Sequence, residues 1–441
     1  MGRNSISKSK REMTTTLNEG ETRTTSPPEK KDKETSPGSS LHTLGWPLTF
    51  GLAAIVNMLC FNATVSILEN YRNPRTPAIA LTTRPDFLPC GADSLLSSVP
   101  VLGLHLVCLE DTSEDNYGVR IYRNSHKGKA PVTTYLKKTS DGDVLAGLRL
   151  ALEEHLRLNR TNNPSWDLFT RTGDRITSTK ILLSASTALL YEGGAFIWPG
   201  VDIGHKERIA IGSDVVVMET LSLRPLVFSI DNFLTVDECD YIQNNAAPHM
   251  KSSGVSLMDK DKGKEATNWR TSKTYFMASK GHSVLQAIDD RVAHLTRVPK
   301  SHQELVQVLR YGEHEKYDAH HDYFDPRLYS KDARTLSMTS NGKVNRMATV
   351  LWYLSDIDGG GETIFPQFGG LTPPRRNDQC DIGLKVKPKK GKVIMFYSLT
   401  PDGHGDKNSL HGSCPVEGIK NKWAANKWVW SAPMSTHFET P

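Results

Sequence analysis

The chain has 441 residues, room for two or three domains, and its 37% hydrophobic and 23% charged residues describe a folded protein rather than a disordered one. The net charge of +5 is small and dispersed, and without any nucleic-acid-binding motif no nucleic-acid partner is expected. The densest basic run, "KVKPKKGK" (Lys385 to Lys392), is broken by Pro388 and Gly391 and reads as a solvated turn between two strands, not as a phosphate-binding patch.

In chain order, residues 1–46 are rich in Ser, Thr, Glu and Lys and too poor in apolar side chains to bury a core, so they are expected to be a disordered tail. Pro47 to Leu68 carries no Asp, Glu, Lys or Arg and reaches the ~20 residues that cross a bilayer, although Asn57 and Asn62 dilute it. We read 47–68 as a single transmembrane signal anchor, with a cleaved signal and a buried helix as alternatives. Lys and Arg flank it about equally, so the positive-inside rule leaves its orientation open. Residues 69–94, rich in Pro, read as a linker. Of the six cysteines, Cys60 lies in this span. The other five (Cys90, Cys108, Cys239, Cys380 and Cys414) allow at most two bridges and one free thiol. Asn159-Arg160-Thr161 is a glycosylation acceptor pattern, usable only in a secretory lumen.

Residues 95–222 are expected to form a small mixed α/β domain whose role the sequence does not indicate. "VPVLGLHLVCLE" reads as a buried strand, and Leu145, Leu148, Leu152 and Leu156 mark the apolar face of a helix. The aromatic, Gly- and Pro-rich stretch from Leu189 to Ile209 reads as a packed turn, with a binding loop as the alternative. A second unit, 223–441, opens with the strand "PLVFSIDNFL" and a helix whose start is marked by the capping box Thr235 to Glu238. A further helix has Leu285, Ile288, Val292 and Leu295 on one face. Then helical periodicity gives way to the short strands "LVQVLRY", "RMATVLWYL", "LKVKP", "KVIMFY" and "NKWVWS". Helices followed by many short strands predict an α+β domain built round a β-sandwich or barrel.

The chemistry is concentrated in "YDAHHDYFDP", Tyr317 to Pro326. On a strand, residues two apart share a face, so His320 and Asp322 point one way and His321 the other. An imidazole and a carboxylate on one face are two thirds of the 2-His-1-carboxylate set that holds non-heme Fe(II). His404 and His411 are the candidates for the third ligand. His411, directly ahead of strand-forming residues, is better placed than His404, which sits in a Gly-rich loop tip. A 2-oxo acid cosubstrate needs a cation and hydroxyls for its far carboxylate, which Lys422, Thr363 and Tyr311 can supply.

Residues 224–431 resemble the catalytic domain of the prolyl 4-hydroxylases, Fe(II)- and 2-oxoglutarate-dependent oxygenases, especially the compact plant and algal kind. The matching pieces run in order: "RPLVFSIDNFLTVDECDYI", "WRTSKTYF", "VLRYGEHEKYDAHHDYFDP", "RMATVLWYLSDIDGGGETIFP", "GLKVKPKKGKVIMFYSL" and "SLHGSCPVEGIKNKWAANKW". The resemblance implies a double-stranded β-helix (jelly-roll) with flanking helices. It implies metal ligation by His320, Asp322 and His411, and 2-oxoglutarate held by Lys422, Tyr311 and Thr363. Tyr317, Arg346 and Trp428 fall where the family lines its peptide groove. The implied reaction hydroxylates peptidyl proline at C4 and converts 2-oxoglutarate and O2 to succinate and CO2, with ascorbate as a further cofactor. A proline-rich protein or peptide is the implied partner, and the implied setting is the endoplasmic reticulum or Golgi membrane, type II, with the catalytic domain lumenal. Alternatives are the same chemistry on peptidyl lysine or a small molecule, or an inactive peptide-binding module of the same fold. Two departures stand out. His411 to Lys422 is eleven residues where the family usually has ten, which leaves Lys420 as a fallback anchor. The loop from Arg327 to Asn345 is also long, and the polar segment Leu257 to Asn268 is expected to be mobile.

Overall fold

The computed structural model describes residues 94–138, 143–158 and 166–434. The expected tail 1–46, the span 47–68, the linker up to residue 93 and the acceptor Asn159 lie outside the described residues. Among the described residues no helix is long and apolar enough to cross a membrane.

The strand Leu104–Asp111 is the centre of a five-stranded antiparallel sheet. Its alternating side chains go to two different cores, which is why the sequence shows a continuous apolar run. Val107 and Leu109 pack with Leu145, Leu148 and Leu152 of the helix Val144–Leu156. Leu106 and Cys108 face the other way, into one core with Phe228, Ile230, Leu295 and Tyr397 of the following unit. The stretch 189–209 is a packed turn: Tyr191, Phe196 and Trp198 stack edge to face, and the Trp198 indole N–H donates to the carbonyl of Leu295 at 2.6 Å.

Side chains from the expected units 95–222 and 223–441 thus share one core. Strands Lys206–Ile211, Asp214–Leu223 and Leu226–Ile230 form one continuous meander, and the expected boundary falls inside it. The described residues belong to one compact unit. Hydrophobic periodicity shows which side chains are buried but not what buries them, so a shared core reads in sequence as two.

The meander is the edge of a nine-stranded antiparallel sheet that continues through Val393–Tyr397, Arg346–Tyr353, Lys422–Trp430, Val306–Tyr311, Lys273–Met277 and Lys251–Ser252. On one face lie the helices Val236–Ala246 and Ser283–Thr296, which bury Ile242, Leu285, Ile288 and Val292 against Val350 and Trp352. The capping box is present: Glu238 N–H donates to Thr235 Oγ1, and Thr235 N–H to Glu238 Oε2. On the other face Leu351, Tyr353, Ile394 and Phe396 pack with Phe365 of a four-stranded sheet ordered Tyr317–His320, His411–Ser413, Thr363–Phe365, Leu384–Val386. The site lies where these two sheets face each other. The segment 257–268 is tied down: Asp259 accepts from Lys331 N–H at 2.8 Å and Ser330 Oγ at 3.0 Å, joining it to the 327–345 loop.

Candidate active site

His320 ends the strand Tyr317–His320 and His411 begins the strand His411–Ser413, and the two are direct partners in the antiparallel ladder. Each ring turns Nδ1 to the carbonyl two residues before it, Asp318 O and Ser409 O, both at 2.9 Å. An Nδ1–H engaged in this way leaves the Nε2 lone pair free for a metal. Asp322 lies two residues beyond the strand end, in a bend, but its carboxylate still returns to the His320 face. Its oxygens are 3.7 Å from His320 Nε2 and 3.5 Å from His411 Nε2. The three ligand atoms lie within 4.8 Å of one another. Thr349 Oγ1 donates to Asp322 Oδ2 at 2.6 Å.

The protonation states suit a cation. Burial, and next the neighbouring His411, push His320 well below the ordinary imidazole value, so it is neutral at pH 7. Burial alone would raise the Asp322 carboxyl, but His411, His320 and Arg346 together bring it down to about 2. With His411 Nε2 beside them, the neutral His320 imidazole and the ionised Asp322 carboxylate make a donor set that fits Fe(II). His321 faces away, its Nε2 against the carbonyl of Lys407 at 2.9 Å, and His404 is exposed beside Asp402.

Lys422 is the first residue of its strand, pairs in register with Tyr311, and is 2% exposed. Its ammonium donates to Ser413 Oγ at 2.7 Å and lies 5.0 Å from the Tyr311 ring centroid. Among the described residues no carboxylate is in ion-pair contact with it. Burial brings its pKa down to about 7, against a raising influence of Glu362. Thr363 is buried alongside, aligned with Ser413 in the ladder and accepting from Tyr353 OH at 2.8 Å. Lys420 is at the surface, paired with Asp358 at 2.8 Å, and the extra residue of "EGIKNKW" is accommodated in the turn, where Ile419 is 92% exposed.

The three expected groove residues divide into two stacks. The Tyr317 ring lies face to face on His320 at 3.8 Å, with the Arg270 guanidinium 4.4 Å from its centroid on strand-flanking backbone. Arg346 lies 3.5 Å from the Trp428 ring centroid and is held by both Glu304 oxygens, at 2.6 and 2.9 Å. The indole N–H of Trp428 is buried and has no partner among the described residues.

Sequence reading missed Ser413, Tyr353, Thr349 and Arg270. Ser413 was accessible, since it is two residues on from His411 and shares its face. Thr349 and Tyr353 also share a face, but that face matters only once the strand is paired. Arg270 lies in irregular backbone, which has no period to read.

Residues 306–430, which include His320, Asp322, His411 and Lys422, match the model of the 2OG-Fe(II) oxygenase superfamily. The chain is 38% identical over 224 residues to probable prolyl 4-hydroxylase 9 of Arabidopsis thaliana, covering 50% of this chain and 73% of that protein. It is 40% identical over 219 residues to probable prolyl 4-hydroxylase 10 of the same plant, covering 48% and 71%. The chain belongs to the prolyl 4-hydroxylase family. Like other prolyl 4-hydroxylases it is thus a 2-oxoglutarate-dependent dioxygenase that uses iron. Among solved structures, the viral collagen prolyl hydroxylase of Paramecium bursaria Chlorella virus-1 in its 2-oxoglutarate complex is 26% identical, over 47% of this chain and 96% of that one, with a TM-score of 0.33.

Proposed function

We propose that the protein hydroxylates peptidyl proline at C4, with iron held by His320 Nε2, the Asp322 carboxylate and His411 Nε2. The carrying observation is this His-Asp-His group beside a buried lysine that, among the described residues, meets no carboxylate in an ion pair. Bound iron supplies the activation of O2 that couples decarboxylation of 2-oxoglutarate to C–H hydroxylation. The chain's own side chains do the rest. A buried ammonium with only a hydroxyl partner is costly, and a dianionic cosubstrate removes that cost. Lys422 therefore anchors the far carboxylate of 2-oxoglutarate, with the hydroxyls of Tyr311 and Thr363 beside it. The Nδ1 hydrogen bonds and Thr349 fix the ligands before the metal arrives. On the substrate side, the unpartnered Trp428 N–H and the Arg346 guanidinium are donors aimed at a peptide, and Tyr317 packs against the ligand His320. The named relatives support proline as the acceptor, and ascorbate follows from the same family reading.

The two facing sheets support a double-stranded β-helix. The Cys380–Cys414 disulfide, together with bonded Cys108 and free buried Cys239, suits an oxidising compartment. This favours an endoplasmic reticulum or Golgi lumen, reached through a type II anchor at 47–68. Protease access to the catalytic unit in intact microsomes would rule out lumenal placement.

The test is full-length protein with Fe(II), ascorbate, 2-oxoglutarate and proline-rich peptides, followed by succinate release and fragmentation mass spectrometry. The expected result is one oxygen on proline C4, lost in His320→Ala and kept in His321→Ala. Iron binding without succinate from any peptide contradicts the proposal.

A further inference from the structure

A cleft of about 770 Å3 opens beside the active site and is not part of it. Such a volume is in the range that encloses a ligand. Tyr323 and Phe324, which directly follow the ligand Asp322, line one side. The Phe324 ring continues the groove stack, with the Arg346 guanidinium 5.2 Å from its centroid. Another wall, with Ala195 and Ile197, comes from residues well outside the 306–430 oxygenase match. That wall is seated closely on the loop leading to His411. Gly193 N–H donates to Pro401 O at 2.8 Å, and a Cβ at Gly193 would come within 2.6 Å of the Gly403 backbone.

The cleft's charge is one-sided. Asp325 is the one carboxylate among its described lining residues, and Arg327 already engages it through two hydrogen bonds at 2.9 and 2.6 Å. Lys343 and Lys407 also line it, are exposed, and form no ion pair with any described carboxylate. Aromatic and apolar side chains beside exposed cations outside ion-pair contact suit an extended, acid-bearing chain. Proline-rich segments enter such grooves at low entropic cost, because they are extended before they bind.

We propose that this cleft extends the substrate groove and binds an acidic stretch flanking the target proline in the same polypeptide, so that the N-terminal sheet unit contributes to substrate selection. The inference rests on the peptidyl-proline reading above. The full-length protein is tested with a short neutral proline-rich peptide and with that peptide extended at both ends by Asp- and Glu-bearing residues. The extended peptide has the lower KM. K343E/K407E raises its KM about five- to tenfold, the size expected for two rim charges, and removes the preference. Ala195→Trp, which fills the cleft from the N-terminal side, removes it as well. Fluorescence anisotropy of the labelled extended peptide reads the same cleft without turnover. A failure of hydroxylation, which counts against the proposed function, is therefore distinguishable from a failure of the cleft. Equal affinity for both peptides, or a preference that survives K343E/K407E, overturns the proposal.

Discussion

Replacing Lys422 by Met tests the cosubstrate site from two directions. In the ligand-free protein this ammonium is 2% exposed, and burial brings its pKa to about 7 from 10.5. Keeping the charge there without an anion costs up to about 5 kcal/mol at pH 7. Because the folded-state pKa is below the unfolded one, the unfolded chain binds more protons between about pH 7 and pH 10. Stability of the ligand-free enzyme therefore rises with pH across that window, and Lys422→Met flattens the rise. Binding of 2-oxoglutarate restores the charge, so at pH 8 it takes up close to one proton, measurable by calorimetry in buffers of different ionisation enthalpy. Losing the anchor costs about 2–4 kcal/mol, or roughly thirty- to a thousandfold in KM for 2-oxoglutarate. Lys420→Met, at the exposed pair with Asp358, leaves that KM unchanged. A large KM effect in Lys420→Met with none in Lys422→Met refutes the reasoning, as does binding at pH 8 without proton uptake.

Thr349→Val removes the hydroxyl that donates to Asp322 and lowers iron affinity about ten- to a hundredfold, read by competition with a chelator, with the fold intact by circular dichroism. Reducing the Cys380–Cys414 bridge, which spans 34 residues, destabilises the protein by about 3–4 kcal/mol. It also raises KM for 2-oxoglutarate, because Cys414 follows Ser413, the partner of Lys422. A melt with and without reductant, compared with Cys380→Ser, checks both effects. Glu304→Gln loosens the clamp on Arg346, so KM for peptide rises several-fold while KM for 2-oxoglutarate stays constant. Equal changes in both constants would mean a general loss of fold.

The sequence by itself determined the chemistry. His320 and Asp322 are two apart, so strand alternation predicted one shared face with His321 turned away, and the structure reaches that arrangement although the strand ends at His320 and a bend carries Asp322. The helix at Val236–Ala246 was legible from its capping box, and that at Ser283–Thr296 from its apolar stripe, because both signals are local. Only the tertiary structure decided what depends on pairing. It buried Lys422 and left Lys420 at the surface, because the strand starts at Lys422 opposite Tyr311 and Lys420 lies in the turn before it. It brought Thr349 to Asp322 and Tyr353 to Thr363, contacts between strands far apart or newly turned that no period encodes. It also gave residues of the two expected units one shared core, which the apolar run at Leu104–Asp111 does not reveal, since that run is the same whether its second face meets its own helices or later strands. Burial is written residue by residue along the chain, whereas the partner in burial is set by how the sheets stack.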